Sequence, residues 1–231
     1  MDESSKARSS MMTGAIVALV VGLIIGVGVT ILIEHHHYKK ELSDSSSMSA
    51  PTASTAAATL RSNLVTLGVE HMTLTDQAVD AALDGNADAS ALSTALIANG
   101  NDIGAAVGSV YGTAAQKQFD AIWLIHLQQF VAYAVADKEG NTTAMQTALN
   151  TIQSQYTIPI SKLLGGATGL PVSAVQTDLS SHIAMTATMI DDHVKGNYTA
   201  EASQLNMANT GIANIFSTLA EAIVKQNPSK F

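Results

Sequence analysis

The chain has 231 residues, 47% of them hydrophobic and only 13% charged, with no cysteine, which excludes disulfide scaffolds, cysteine nucleophiles and Cys-based zinc or iron–sulfur sites. Its 19 acidic against 11 basic residues, a formal net charge of -8, and its 4% of aromatic residues argue against a nucleic-acid partner, which requires a clustered basic surface or stacking platforms.

Residues 1–11 read as a short cytoplasmic tail. From Met12 to Ile33 the chain carries twenty-two residues without a charge, which as a helix would extend roughly 33 Å and match a bilayer core of about 30 Å. This apolar run is longer than the core of a signal peptide. It is followed by Glu34, His35–His37, Tyr38 and Lys39–Lys40 rather than by a small-residue cleavage site, so an uncleaved transmembrane helix over 12–33 is expected. Lys6 and Arg8 before the span balance Lys39 and Lys40 after it, and the positive-inside count does not orient it. Beyond residue 60 there are 7 basic and 14 acidic residues amid Ala, Thr, Ser and Asn. That composition suggests an exported domain, and hence a cell-membrane protein whose large C-terminal part lies outside the cytoplasm. Gly22 and Gly26 form a GxxxG spacing that suits close helix packing, although glycine is also simply common in membrane helices. His35–His37 read as an interfacial polar collar, because successive side chains on a helix diverge by about 100°.

Residues 34–59 are expected to be a juxtamembrane segment and linker. Within 41–59, 14 of 19 positions are Ser, Ala or Thr, with Pro51 inside. Such a coil reaches roughly 25 Å root-mean-square.

Residues 60–231 read as helix throughout, with breakers at Gly85, Gly112, Gly140, Gly165-Gly166, Gly169-Leu170-Pro171 and Gly196. Six helices are predicted near 60–84, 88–111, 113–139, 142–164, 172–195 and 198–226, and Pro159 should kink or interrupt the fourth. Sliding the chain against itself shows a repeat. His71 is followed fourteen residues later by Gly85-Asn86, His126 by Gly140-Asn141 and His182 by Gly196-Asn197, at intervals of 55 and 56 residues. Glycine can take the left-handed conformation that ends a helix and the polar residues after it can cap the next, so each unit is predicted to be an αα-hairpin. The predicted fold class is therefore all-α: an N-terminal transmembrane helix, a flexible linker, and a six-helix bundle of three αα-hairpin repeats.

Each repeated histidine lies on an apolar stripe. His71 falls in register with Leu64, Leu67 and Leu74, His126 with Trp123, Phe130 and Tyr133, and His182 with Leu179, Met185 and Met189. A buried imidazole needs partners for its ring nitrogens. Two readings follow. Each histidine bonds a neighbour inside its own hairpin, or His71, His126 and His182 converge on a metal; Met72, Met185 and Met189 would then favour copper and Glu70 zinc. His193 is expected at an exposed helix C-terminus, where a cation is favourable. Asp191-Asp192 with Asp80 suggest either a carboxylate pair or a solvated helix end. Asn141 and Asn197 start N-x-T sequences at the predicted turns, suited to capping or to a glycan. No nucleotide-binding loop, His-Glu-x-x-His or Gly-x-Ser-x-Gly is present in the sequence, and no enzyme is predicted.

The run NGNDIGAAVGSVYG from Asn99 to Gly112, Trp123-x-x-His126 with Phe130-Val-x-Tyr133, and the closing QNPSKF from Gln226 to Phe231 resemble an uncharacterised family of exported bacterial helical-repeat proteins. Some members are joined to a copper-amine-oxidase-type N-terminal module. The resemblance covers most of residues 60–231 and implies that His71, His126 and His182 match recurrent family positions. Where a further His-Met pair is expected in the last helix, this chain has Asn206-Met207. The functional expectation is a membrane-anchored, surface-exposed binding or interaction module holding a metal ion or small ligand; the alternative is a purely structural envelope or scaffold protein. Its partners would be the membrane through 12–33 and either other proteins or a second copy of the chain.

Overall fold

The computed structural model describes residues 55–231, and the tail, the span at 12–33 and most of the linker lie outside the described residues. Seven α-helices follow: α1 (Ala56–Asp84), α2 (Ala89–Tyr111), α3 (Thr113–Lys138), α4 (Thr142–Thr151), α5 (Ile158–Thr168), α6 (Val172–Val194) and α7 (Tyr198–Gln226). A π-helical segment, Ile152–Thr157, joins α4 to α5 without leaving helical backbone, so the described residues form six helical rods and no strand.

Local chemistry explains most of the boundaries. The first helix starts at Ala56, inside the stretch expected to be linker, because the Thr55 hydroxyl oxygen accepts from the Ala58 amide at 3.1 Å and an alanine run follows it. The repeated Gly-Asn pairs all close the same motif. Gly85, Gly140 and Gly196 sit at φ of 72°, 67° and 71°, and the amides of Asn86, Asn141 and Asn197 donate to the carbonyls of Ala81, Ala136 and Asp192, each at 2.8 Å. This is the six-to-one bond that terminates a helix through a left-handed residue. The three asparagines then diverge. Only Asn141 caps through its side chain, accepting from the Ala144 amide at 3.0 Å, whereas Asn197 makes no side-chain cap and α2 starts from Asp88.

Pro159 does not break the fourth rod. The preceding turn widens to π spacing, with the Ile158 amide donating to the Gln153 carbonyl, and the extra residue absorbs the bond and the space that proline removes. The widened turn buries Ile152 and Tyr156 almost completely.

Each rod packs on the next, and α7 returns to α1, so the bundle closes on itself. Across its centre α1, α3 and α6 also touch one another, and these are the three helices that carry the repeated histidines. Ile103, Phe119, Ile160, Met189, Ile190 and Ile212 fill the interior around them. Among the described residues one helix, α3, is long and apolar enough to cross a membrane by length and composition; here it turns Phe119, Trp123, His126, Phe130 and Tyr133 into this core.

Candidate metal centre

His71 on α1, His126 on α3 and His182 on α6 meet in the middle of the bundle. They are 1%, 1% and 2% exposed. The His71 ring centroid lies 5.6 Å from that of His126 and 6.3 Å from that of His182. One ring nitrogen from each residue lies within 4.8 Å of one from each of the other two. A metal held at about 2.0–2.1 Å by three imidazoles would draw its donor atoms to roughly 3.4 Å apart.

On each ring one nitrogen has no hydrogen-bond partner in the protein: Nδ1 of His71, Nε2 of His126 and Nδ1 of His182. The other nitrogen of His126 is engaged, since Nδ1–H donates to the Trp123 carbonyl. That bond fixes the tautomer and leaves Nε2 as a lone pair, the arrangement in which a backbone carbonyl orients a metal-binding imidazole. Asn99 lies beside His71 and is itself anchored by its Nδ2, which donates to the Leu67 carbonyl at 3.0 Å and to Glu70 Oε2 at 3.2 Å. The three rings stay uncharged over a wide pH range. Burial first, and then the proximity of His182, lowers the His71 pKa to about 3; burial alone lowers that of His182 to about 4. Burial, followed by the two neighbouring imidazoles, holds His126 well below its ordinary value. Neutral imidazole is the ligating form.

Aromatic rings brace the triad from one side. Tyr156 stacks on His126 at 4.2 Å and 24°, and Trp123, itself stacked on Phe119, stands 4.9 Å from His71 and 4.7 Å from His126. Trp123 approaches α2 closely because residue 100 is glycine, whose Cβ would fall 2.8 Å from the indole Nε1. On the other side the rings form part of the wall of a cavity of about 370 Å³, together with Met72, Thr75 and Thr186. The hydroxyls of Thr75 and Thr186 each donate to the carbonyl of the histidine four residues earlier, at 2.8 and 3.0 Å.

Of the further ligands expected from the sequence, Met72 is fully buried and lines this cavity, while Met185 packs toward Gly211 on α7. Glu70 is exposed and serves Asn99, so it does not join the triad. Asn206 and Met207 are exposed on α7 and take no part in the triad.

His193 is not exposed. It is 8% accessible, with Nδ1 at 2.9 Å from Asp80 Oδ1 and 3.0 Å from Glu201 Oε1, and Nε2 at 3.4 Å from Asp84 Oδ1. The reason is tertiary: α1 and α7 flank the end of α6 and bring carboxylates to it. Burial lowers the His193 pKa, but the Glu201 hydrogen bond and the Asp80 charge outweigh it and the net shift is upward. Burial, followed by carboxylate repulsion, raises Asp76 to about 6 and Asp80 to about 7. Asp80, His193 and Glu201 also have the spacing of metal ligands, but their atoms already satisfy one another, unlike those of the triad. Asp191 does not pair with Asp80; it accepts from the Tyr133 hydroxyl at 2.7 Å and lies 3.5 Å from Lys195.

Sequence periodicity found the three histidines. It missed Tyr156, whose position depends on the π turn, and the partners of His193, one of which lies 109 residues away in sequence. No family model, curated protein or solved structure matches the chain.

Proposed function

We propose that this protein is a membrane-anchored binding module whose extracytoplasmic helical domain, built from three αα-hairpin repeats, holds one copper or zinc ion at His71, His126 and His182. The observation that carries this reading is the convergence of three buried, neutral imidazoles, each with one ring nitrogen unpartnered inside the protein. An unsatisfied buried acceptor costs about 1–3 kcal/mol, and three together are a costly way to fill a core that leucine would fill as well. A single ion at the point of convergence would supply the missing partner. Imidazole suits both copper and zinc, and the Met72 thioether lining the same cavity adds a soft donor that favours copper. The three identical Gly-Asn turns and the meeting of α1, α3 and α6 support the repeat, since duplicated units with the same histidine position can bring those histidines to one axis. The uncharged run at 12–33 supports the anchor and the acidic, cysteine-free composition supports an exported domain.

The test is elemental analysis of the full chain purified without chelators or affinity histidines, with melting curves before and after adding Cu(I), Cu(II) and Zn(II). The expected result is close to one equivalent of metal, a raised melting temperature, and loss of both in His126→Ala. Trp123, the chain's single tryptophan, adjoins two of the ligands, so its emission should be quenched as Cu(II) binds. A protein that takes up none of the ions and melts unchanged would overturn the reading and favour the scaffold alternative, in which the histidines serve packing alone.

A further inference from the structure

The cavity beside the triad has the composition of a ligand pocket rather than of a packing defect. At about 370 Å³ it falls at the small end of the range that holds small molecules, about 300–1,000 Å³. Val79, Leu83, Leu96, Leu127 and Phe130 form its walls. Its buried polar groups gather at one place, where the three imidazoles stand with Thr75 and Thr186, while Ser93 and Gln128 line it from exposed positions. The charged residues that line it are Lys138 and Glu139, adjoining the C-terminal end of α3, and the Lys138 ammonium is already committed to the Leu83 carbonyl. Both are exposed, so away from the ion the buried part of the cavity offers no partner to a charged group, whose desolvation would go uncompensated. Ile97, Leu124, Val131 and Val135 also line the cavity and are each 41–59% exposed, which gives it an apolar mouth. Trp123 and Tyr156 do not line it; they border a second, smaller cavity of about 160 Å³ on their own side of the rings. An ion bound by three histidines keeps at least one coordination position for a fourth ligand, and all three histidines help to line this cavity.

We propose that this cavity binds a small molecule with an uncharged, mainly hydrocarbon tail and a single donor atom, with its tail between α1, α2 and α3 and its donor on the ion held by His71, His126 and His182. This inference rests on the metal reading above. The donor supplies the fourth ligand, and the apolar walls select for a tail that a bare donor lacks.

The test uses the full chain in nanodiscs, loaded with Co(II) as a spectroscopic stand-in and checked for stoichiometry by elemental analysis. Imidazole and 4-phenylimidazole are titrated while the visible Co(II) bands are followed. The two probes share a donor and differ by an apolar ring. 4-Phenylimidazole is expected to bind at least tenfold more tightly, a difference of about 1.4 kcal/mol. Ala134→Phe, which fills the cavity from α3, and Ala82→Trp, at its more exposed part, should bring the two affinities within about twofold while leaving Co(II) content unchanged. If Ala134→Phe fails to fold, Ala82→Trp decides. Stoichiometric Co(II) with equal affinities for the two probes would overturn the pocket and leave the metal centre standing. A tenfold preference that survives in every folded variant would also overturn it, because the phenyl ring would then lie elsewhere. Failure to take up Co(II) at all would overturn the metal reading and the pocket with it.

Discussion

Replacing His182 by leucine separates a metal-holding triad from a purely architectural one. In metal-free protein, His182 is 2% exposed and its Nδ1 has no partner in the protein. Leucine removes that atom, recovering about 1–3 kcal/mol, and costs under about 1.5 kcal/mol in altered packing. The metal-free variant should thus be as stable as the parent at pH 8, or more stable. The pH dependence is sharper. The His182 pKa is about 4 in the folded state against 6.5 in the unfolded chain, so the unfolded state binds the extra proton between those values. The parent's stability is full above pH 6.5 and falls as pH drops toward 4. At pH 5 this one residue costs the parent about 2 kcal/mol, from about 1.4 kcal/mol per pH unit, and leucine carries no such cost. Urea titrations of metal-free parent and His182→Leu, each at pH 8 and pH 5, should show the variant's relative stability rising by about 2 kcal/mol on acidification. For a domain of this size that corresponds to a melting-temperature difference of roughly 4–8 °C. With Cu(II) or Zn(II) present the order reverses at pH 8, because a ligand at a hundred times its Kd stabilises the parent by about 2.7 kcal/mol and the variant hardly at all. A His182→Leu protein that loses 2 kcal/mol or more at both pH values, with no metal effect on the parent, would refute this reasoning and make the imidazole a packing element.

Gly85→Ala, Gly140→Ala and Gly196→Ala should each cost about 1 kcal/mol in denaturant titrations, because an added Cβ meets nothing within 4 Å and the penalty is that of the left-handed backbone alone. Gly100→Ala should cost more, about 1–3 kcal/mol, and shift the Trp123 emission, since its Cβ must displace the indole that braces the triad. Glu201→Gln should lower the His193 pKa toward 6.5 when followed by imidazole NMR, as it weakens the largest contribution holding that pKa up. The stability His193 gains from Glu201 and Asp84 is present below pH 6.5 and lost as pH rises through its folded pKa, so Glu201→Gln should flatten that loss.

The all-helical architecture was readable because it is local. Glycine at the ends of α1, α3 and α6 requires only a positive φ, which a Gly-Asn pair advertises, and the apolar stripes around His71, His126 and His182 announce burial through their 3.6-residue period. Pro159 was legible as a disturbance but not as a π turn, because whether a helix breaks or widens at proline depends on what holds both halves in place. Here buried Tyr156, Ile152 and Ile160 hold them. His193 showed the opposite failure: its position near a helix end suggested exposure, and only the packing of α1 and α7 beside it supplied Asp80, Asp84 and Glu201.

By itself the sequence determined that three histidines recur at equivalent places on three inward-facing helices, since spacing and periodicity are properties of each helix alone. Whether those rings would lie far apart along an open array or meet at one point was decided by the return of α7 onto α1, which closes the bundle and presses α1, α3 and α6 together. That closure depends on side chains interlocking between segments up to about 150 residues apart in the chain, such as Phe216 seated against Gly68, and periodicity within a single helix carries no record of which helix it will meet.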